Sequence, residues 1–404
     1  MMVLPRRRRT IAVYRVVPFA CFRALIVAIP HLEETGYSCL LYVTSATHKL
    51  PGIRRNTAET QRMENTVKIG ISSEKQRVLL DRRVSVAPMM DWTDCHCRYV
   101  HRLFAPHALL YTEMIVSTAL VRGDARRLLE HSAAEHPVAL QLGGCDPKEL
   151  AVAARIGAAA GFSEINLNVG CPSDRVKNGS FGACLMLRPA LVADCVRALR
   201  DATPLPVTVK CRIGIDARDD YEFFAAFVDA VAAVGIDALI VHARAAILGG
   251  LSPKENREIP PLKYDYVHRM KRERPELTVI LNGGLSQAAE AGKHVAAGLD
   301  GVMLGRAVYH RPALLAELEQ ALIDPQWRVP QPWEIIEGVV SYAKVCARRG
   351  IRLHSITRHM HGLMAGREGA RAWRRFLSEV AARPESVPET LYTALPILNP
   401  GIAA

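Results

Sequence analysis

The chain has 404 residues, enough for one large domain and a smaller one. Half of its residues are hydrophobic and 23% are charged, a composition typical of a globular protein rather than a disordered one. The net charge of +12 favours a polyanionic partner. This charge lies at the two ends: residues 1–80 hold 13 Lys and Arg against 5 Asp and Glu, and residues 324–404 hold 11 against 7.

The ten cysteines are scattered along the chain. They form no Cys-x-x-Cys pair and no cysteine–histidine pattern with the spacing of a zinc site. Unpaired thiols fit a reducing compartment better than a disulfide-linked secreted scaffold. We therefore expect a cytoplasmic protein without a metal site.

The first eighty residues resemble a targeting segment only superficially. Residues 6–9 are all arginine and precede an apolar stretch, 11–29, which Arg15, Pro18 and Arg23 interrupt. It contains no uncharged run of the roughly 20 residues that a membrane span requires. We expect no membrane segment and interpret residues 1–80 as a poorly ordered extension, or as the product of a start assigned too early, with Met63 as the true beginning. A basic arm that touches RNA is the alternative.

From residue 84 to about 323, short apolar runs alternate with amphipathic helical patterns. The runs that predict strands are residues 84–89, 109–114, 138–143, 164–170, 206–212, 238–244, 278–284 and 301–306. The clearest helical patterns are residues 147–160, 191–201, 221–234, 288–297 and 313–322. Eight such units over about 240 residues predict an α/β fold of the (β/α)8 TIM barrel type, residues 81–323. The rival is an open doubly wound sheet, but no Gly-x-Gly-x-x-Gly turn supports a dinucleotide-binding version.

The stretch 164–172 (EINLNVGCP) places one cysteine at the end of a predicted strand. Gly170 and Pro172 end the strand and begin a loop, so Cys171 lies at its carboxyl tip. Small buried cysteines are also common in protein cores, so this position alone allows a structural or a catalytic role.

The ends of the eight predicted strands carry polar residues or glycine, except the first, which carries proline and methionine. In chain order they are Pro88, Met89 and Met90; Glu113 and Met114; Gln141; Asn168 and Cys171; Lys210 and Arg212; His242 and Arg244; Asn282, Gly283 and Gly284; Gly305 and Arg306. The carboxyl ends of barrel strands share one rim, where active sites of this fold are built. Solvent exposure of strand ends does not easily explain why such residues occur at nearly all of them.

The residues at the last strands suggest a bound phosphate. Gly283–Gly284 and Gly305 let backbone N–H groups approach a ligand closely, although tight turns alone also require such glycines. Lys210 could stabilise negative charge on a flavin, or form a barrel salt bridge with Glu113 or Asp94. His242 could line the same ligand or be a core histidine. Together the set favours FMN.

Beyond residue 323 the pattern becomes purely helical. Prolines at 325, 330 and 332 form a linker, and residues 333–349, 353–364 and 369–381 predict helices. We expect residues 324–404 to form a small all-helical domain. Its Arg371, Arg374 and Arg375 are either a solvated basic helix face or a surface that contacts phosphates.

Five motifs resemble the tRNA-dihydrouridine synthase family, in particular its A-type branch. They are residues 87–94 (APMMDWTD), 110–114 (LYTEM), 136–144 (HPVALQLGG), 166–175 (NLNVGCPSDR) and 252–262 (SPKENREIPPL). The resemblance covers residues 84–379 and leaves the first eighty residues uncovered. The loop 244–247 (RAAI) departs from the branch, which tends to carry a basic and an aromatic residue there.

The resemblance implies an oxidoreductase that uses FMN and NADPH to reduce uridines of the tRNA D-loop, U20 and U20a. It implies that Cys171 donates the proton. It implies FMN contacts from Pro88, Met89, Met90, Gln141, Lys210, His242, Asn282, Gly283, Gly284, Gly305 and Arg306. It implies RNA contacts from Asn168, Lys254, Arg257, Arg371 and Arg374.

The partner that we expect is therefore tRNA, bound by residues 324–404, with no membrane and no metal, and with the enzyme acting as a monomer. Two other hypotheses remain open from the sequence. One is an FMN barrel that acts on a free pyrimidine, as a dihydroorotate-dehydrogenase-like enzyme does. The other is a tRNA-binding module without catalytic activity.

Overall fold

The computed structural model describes residues 80–173 and 181–398, together with the backbone of two strands near the N-terminus. Residues 1–73 and 74–404 form two separate compact units. In the first unit, Ala24–Glu33 and Gly36–Ser45 pair as antiparallel strands. The predictions made for residues 1–80, including the possible start at Met63, otherwise lie outside the described residues.

In the described part of the second unit, eight parallel strands close into a barrel. They are β1 (Val84–Val86), β2 (Leu109–Tyr111), β3 (Val138–Gly143), β4 (Glu164–Val169), β5 (Val207–Arg212), β6 (Ala238–His242), β7 (Val279–Asn282) and β8 (Gly301–Leu304). The barrel closes because β8 pairs with β1, with Val302 opposite Val84. The two-residue strand Ile115–Val116 also pairs with β3. The predicted TIM barrel is confirmed.

Helices surround the barrel and follow its strands. They are α1 (Cys95–Phe104), α2 (Ser117–Arg122), α3 (Ala125–Leu128), α4 (Pro147–Ala160), α5 (Pro189–Ala202), α6 (Tyr221–Ala232), α7 (Tyr264–Glu273), α8 (Ala288–Ala296), α9 (Arg306–His310) and α10 (Ala313–Leu322). Short 3-10 segments lie at Ala133–Glu135, Gly182–Leu187 and Glu255–Arg257. Within the described ranges, no helix is long and apolar enough to cross a bilayer.

Apolar periodicity predicts neither α1 nor α7, for different reasons. Helix α1 buries polar side chains, among them His96, Arg98 and His101, which interrupt the apolar stripe on its inner face. Half of the residues of helix α7 are charged, and the helix buries only Val267 and Met270. Both helices are held by packing on the barrel rather than by a wide apolar stripe.

Side chains along a strand alternate between the core that lies between strands and helices and the interior of the barrel. In β4, Ile165, Leu167 and Val169 belong to the large core between strands and helices, whereas Glu164 and Asn166 make hydrogen bonds across the barrel interior. Successive side chains of a strand point to opposite faces, which explains this division. A polar column therefore runs inside the barrel beside a smaller apolar cluster that includes Tyr111, Ile240, Ile280 and Met303.

The segment after the barrel is helical. It contains α11 (Pro332–Ala347), α12 (Leu353–Thr357), α13 (Ala370–Phe376) and α14 (Leu395–Leu398), a π turn at Leu377–Ala381 and a 3-10 segment at Pro388–Ala394. Helix α12 ends at Thr357, not at residue 364 as predicted, and residues 358–364 form turns. Trp373 is fully buried and donates its Nε1–H to the Met360 carbonyl at 2.8 Å, which ties α13 to those turns.

The C-terminal helices contact the barrel through α1. Tyr342 of α11 stacks on Tyr99 with ring centroids 3.9 Å apart, and its hydroxyl lies 2.8 Å from His96 Nδ1. Asp94, which caps α1, lies 3.0 Å from His359 Nε2 and pairs with Arg358. Although burial alone would raise it, the bond to His359 holds the pKa of Asp94 well below its ordinary value.

Candidate active site

The structure brings the predicted site residues to the carboxyl-terminal rim of the barrel. Lys210 lies in β5, His242 ends β6, Asn282 ends β7, and Gly305 directly follows β8. Cys171 lies two residues beyond the end of β4. Because all eight strands are parallel, these positions share one edge.

Lys210 is held by an amide rather than by a carboxylate. Its Nζ donates to Asn282 Oδ1 at 2.9 Å, and Asn282 Nδ2 donates to the Met303 carbonyl at 2.7 Å. A salt bridge to Glu113 or Asp94, which the sequence left open, is not formed. Burial, and then repulsion from Arg212, lowers the pKa of Lys210 to about 8. The site therefore contains a cation that loses its proton readily.

His242 and Gly283 are in close contact. Gly283 has φ of 106°, and a Cβ there would lie 2.6 Å from His242 Cδ2. Only glycine combines this conformation with this approach. Burial, and then the charge of Arg212, holds the pKa of His242 well below its ordinary value, so the imidazole is neutral near pH 7.

The neighbouring loops carry an excess of positive charge. Arg306 pairs with Glu258, and both Arg244 and Arg257 interact electrostatically with this pair. Arg244 Nε is buried and has no hydrogen-bond partner among the described residues. Burial lowers the pKa of Arg244 and of Arg257. The guanidinium groups of Arg244, Arg257 and Arg306 outnumber the single carboxylate of Glu258, so this part of the rim favours binding of an anion.

The described residues 170–173 form the Cys171 loop, which two hydrogen bonds of the Cys171 backbone hold in place. Cys171 N donates to Asn168 Oδ1 at 3.0 Å, and the Cys171 carbonyl accepts from Ala183 N at 2.9 Å. The thiol is partly exposed, and its Sγ lies 3.4 Å from Ser173 Oγ. A cysteine in this setting is ordered yet open to a ligand, which favours chemistry over core packing.

Arg212 is a residue whose role the sequence did not reveal beyond its place at a strand end. Its side chain is buried and donates to three carbonyls: Gly170 at 3.2 Å, Ala245 at 3.2 Å and Asn256 at 3.0 Å. It therefore joins the loops that follow β4 and β6. The signal that could have identified it was a second charged residue, two positions after Lys210, on a strand whose remaining residues are uncharged.

A cavity of about 600 Å³ opens beside the Cys171 loop. Its lining includes Met90, Glu113, Cys171, Ser173 and Phe181. Glu113 Oε1 is buried and has no hydrogen-bond partner in the described part of the chain. Burial, and then the nearby carboxylate of Asp94, raises the pKa of Glu113. The sequence placed Glu113 on the rim and suggested only a pairing with Lys210, which is not formed.

The other residues expected to contact FMN also lie on this rim. Pro88 and Met89 are partly buried in the loop after β1, and Met90 is 53% exposed. A Cβ at Gly305 would lie 3.3 Å from Met89 Sδ, so the ends of β1 and β8 are in contact. Gly284, with φ of 74°, is exposed at the tip of β7.

Gln141 and Asn168 bond to each other inside the rim. Asn168 Nδ2 donates to Gln141 Oε1 at 2.8 Å, and both side chains are at least nine-tenths buried. Asn168 also accepts from the backbone of its own loop, so it supports Cys171 as well as facing the site. One N–H of its amide remains for a ligand.

Residues expected to touch RNA lie in two places. Lys254 and Arg257 are exposed on the loop after β6, where Asn256 anchors the turn by donating to the Ile247 carbonyl at 2.9 Å. Arg371 and Arg374 are exposed on α13 and form no ion pair with any residue that the structure describes. The unusual alanines at 245 and 246 are buried and leave no room for larger side chains without rearrangement.

The described residues offer no metal centre. They contain no group of three or more His, Cys, Asp or Glu side chains that could hold a metal ion. The Cys95–His96–Cys97 cluster belongs to the first turn of α1, where Cys97 is buried.

Comparison with known proteins identifies the family. Residues 85–396 match the family described as dihydrouridine synthase (Dus). A tRNA-dihydrouridine(20/20a) synthase of Xanthomonas campestris pv. campestris is 55% identical over 302 residues, which are 75% of this chain and 89% of that protein. Proteins of the same name from Shewanella oneidensis and Pseudomonas putida are each 52% identical. These matches cover 75% and 76% of this chain, and 90% and 92% of those proteins.

The match spans the barrel, the rim and most of the helical segment that follows, and it confirms the resemblance seen in the five motifs. The chain belongs to the dihydrouridine synthase family, and it is an oxidoreductase that reduces uridine in tRNA to dihydrouridine.

Proposed function

We propose that the enzyme uses FMN and NADPH to reduce U20 and U20a of the tRNA D-loop, with Cys171 as the proton donor. The observation that carries this proposal is the ordered, partly exposed Cys171 thiol, which lines a rim cavity and interacts electrostatically with Lys210. The printed names of the relatives support the two tRNA positions. Because its substrate is tRNA, we place the enzyme in the cytoplasm, acting as a monomer.

The residues of the rim fit FMN. The close-packed glycines after β7 and the surplus of guanidinium groups around Glu258 suit a phosphate. Lys210 and the neutral His242 would then lie along the ring system, with Gln141, Asn282, Pro88, Met89 and Met90 around it. Gly284, Gly305 and Arg306 would complete the phosphate side.

The protein's own part in the reaction is to hold the base and supply one proton. Bound FMN, once reduced by NADPH, supplies the hydride that reaches C6 of the uracil. Negative charge then develops next to C5, and the Cys171 thiol donates its proton to that carbon. Lys210, Arg212 and Arg257 all interact electrostatically with Cys171, which stabilises the negative charge left on sulfur. The target base must leave its stacked position to reach the rim.

The glycine at position 283 provides a test of the flavin site. We expect Gly283→Ala to lose most of its FMN, because the new Cβ would lie 2.6 Å from His242 Cδ2 and alanine disfavours φ of 106°. The measurement is flavin absorbance per protein after purification. Gly298→Ala is the matched control, since Gly298 has φ of 100° but no atom near its Cβ position. Equal flavin content in both variants would contradict the assignment.

We propose that residues 324–404 form the tRNA-binding domain. Arg371, Arg374 and Arg375 lie on the exposed face of α13, while Trp373 and Phe376 anchor its other face. Unpaired exposed arginines suit phosphate contacts, which also dominate RNA affinity. The link from Asp94 to Arg358 and His359 places this segment against the loop that leads from β1 to the cavity.

Removing two of these charges should weaken tRNA binding. We expect Arg371→Ala with Arg374→Ala to lower tRNA affinity by about tenfold. The slope of log Kd against the logarithm of the salt concentration should fall by about 1 to 2. Titration of unmodified tRNA at several salt concentrations measures both quantities. Arg197→Ala with Arg269→Ala removes the same charge from outer barrel helices and serves as the control. Equal affinities of the two double variants would exclude a docking role for α13.

A further inference from the structure

A column of hydrogen bonds begins at the bottom of the barrel interior. Arg82 donates from Nε and Nη2 to Glu164 Oε2 at 2.9 and 2.6 Å. On its other oxygen, Glu164 accepts from Tyr111 OH at 2.7 Å and from Thr208 Oγ1 at 2.6 Å. Thr208 Oγ1 in turn accepts from Asn166 Nδ2 at 2.9 Å. Glu164, Thr208 and Asn166 are all fully buried.

The column continues upward to the Cys171 loop. Gln141 Nε2 donates to Asn166 Oδ1 at 2.7 Å, and Asn168 Nδ2 donates to Gln141 Oε1 at 2.8 Å. Asn168 Oδ1 then accepts from the backbone N–H groups of Gly170 and Cys171, each at 3.0 Å. These contacts join β3, β4 and β5, and they connect an ion pair at one end of the barrel to the loop at the other.

The two ends of the column are chemically unambiguous. The Glu164 carboxylate, paired with Arg82, can only accept hydrogen bonds, and the Gly170 and Cys171 backbone nitrogens can only donate them. Thr208 must therefore donate downward and accept from Asn166. Each amide above must then turn its NH₂ group toward the bottom and its oxygen toward the loop. Both ends demand the same orientation, so the direction of every link follows from the chemistry of the ends.

A reversal of the lowest link would propagate to the top. If Thr208 had to accept from residue 164, its single hydroxyl proton would no longer be used at the bottom of the column. In the reversed column that proton goes to Asn166 Oδ1, and the amides of Asn166, Gln141 and Asn168 have all turned over. The Asn168 NH₂ group would then face the backbone N–H groups of the loop, donor against donor. Buried polar groups without partners are costly, so the loop would move.

We propose that Glu164 and Thr208 are positioning residues, which hold the Cys171 loop by fixing the direction of this hydrogen-bond column. The hydrogen-bond column determines where the loop lies, whether or not Cys171 is the proton donor. The effect of that position on catalysis rests on the proposed function of Cys171 as proton donor. The alternating polar residues of the stretch 164–168 thus have a common purpose. Glu164 fixes the orientation of the Thr208 hydroxyl, and Asn166 hydrogen-bonds to Thr208 and Gln141. Asn168 then accepts from the backbone N–H groups of the loop.

The test uses Glu164→Gln, Thr208→Val and the double variant in full-length protein. Opposite Arg82, the amide of Glu164→Gln keeps its oxygen toward the guanidinium and turns its NH₂ group toward Thr208, which reverses the column. We expect hydrogen exchange at the Gly170 and Cys171 amides to become about tenfold faster. Thr208→Val should also accelerate it by removing one link, and Thr208→Ser should restore it to within about twofold of the wild type.

The double variant distinguishes transmission through Thr208 from local damage. Because valine cannot relay a hydrogen bond, Glu164→Gln should add nothing to the exchange rate in the Thr208→Val background. Ser85→Ala, which removes a buried hydroxyl from β1 outside the column, should leave both amides unchanged. Additive effects, or Glu164→Gln and Thr208→Val variants that exchange no faster than Ser85→Ala, would overturn the proposal.

Single-turnover reduction of uridine in tRNA is measured on the same variants. We expect it to slow by about tenfold in Glu164→Gln and in Thr208→Val, with flavin content followed as a check on folding. Faster exchange together with unchanged uridine reduction would overturn the positioning role of the column in catalysis, whereas the role of Cys171 as proton donor is tested separately by Cys171→Ala. The exchange measurement needs no tRNA, so the two failures are distinguishable.

Discussion

Cys171→Ala should retain FMN and tRNA affinity while reducing uridine at least about a hundredfold more slowly than the wild type. The thiol is the partly exposed group at the tip of β4, and without it C5 of the reduced base has no positioned acid. Its removal leaves the loop intact, because the loop is held through the Cys171 backbone rather than through sulfur. Single-turnover formation of dihydrouridine in unmodified tRNA measures this loss.

The matched control for this variant is Cys184→Ala. Cys184 is also partly exposed and lies in the 3-10 segment that follows the same loop, where its Sγ donates to the Phe181 carbonyl at 3.1 Å. We expect its turnover to stay within about twofold of the wild type. A Cys171→Ala enzyme that is as fast as Cys184→Ala would remove Cys171 as the proton donor.

Lys210→Met should slow reduction of the bound flavin by NADPH, by about a hundredfold. A buried cation preorganised beside developing negative charge is among the larger electrostatic contributions to a reaction. Methionine preserves the length of the side chain and removes the charge that Asn282 now holds in place. Stopped-flow flavin absorbance measures the rate, and Lys344→Met, which changes an exposed lysine of α11, is the control.

The pH dependence of the same step gives a second test of Lys210. Because burial lowers the pKa of Lys210 to about 8, the cation is present below that pH and is lost as the pH rises through it. The reduction rate should therefore fall above about pH 8 in the wild type and remain flat there in Lys210→Met. A Lys210→Met rate profile that falls in the same way would assign the pH dependence to another group.

The barrel could be predicted from the sequence because eight short, mostly apolar runs alternate with helical patterns, and most of these runs end in a polar residue or glycine. The strand ends then indicated the rim, since parallel strands place them together. Those two regularities depend only on local sequence. They located Lys210, His242, Asn282 and Cys171 on one edge before their contacts were known.

The partners of these residues could not be predicted, because they depend on strand register. Thr208 contacts Glu164 and Asn166 only because β5 lies beside β4, with Thr208 opposite Asn166. Nothing in the apolar run of β5 indicates that this threonine carries a hydrogen-bond column. The sequence likewise left Lys210 with a carboxylate partner as one alternative, whereas the structure pairs it with Asn282, 72 residues away.

Residues of the helical segment illustrate the same limit. Helical spacing alone could separate the exposed Arg371 and Arg374 from the buried Trp373. It could not show that His359 lies buried against Asp94, because that contact joins positions 265 residues apart. The connection matters for function, since Asp94 also lines the cavity beside Cys171.

The most direct test of the account is to incubate the purified protein with NADPH and two substrates, unmodified tRNA and free uridine. Digestion and mass spectrometry then locate any uridine that has gained two hydrogens. We predict yellow protein with flavin absorbance, and dihydrouridine at U20 and U20a of the tRNA but none from free uridine. Colourless protein that binds tRNA without changing it, or equal reduction of free uridine, would contradict the account.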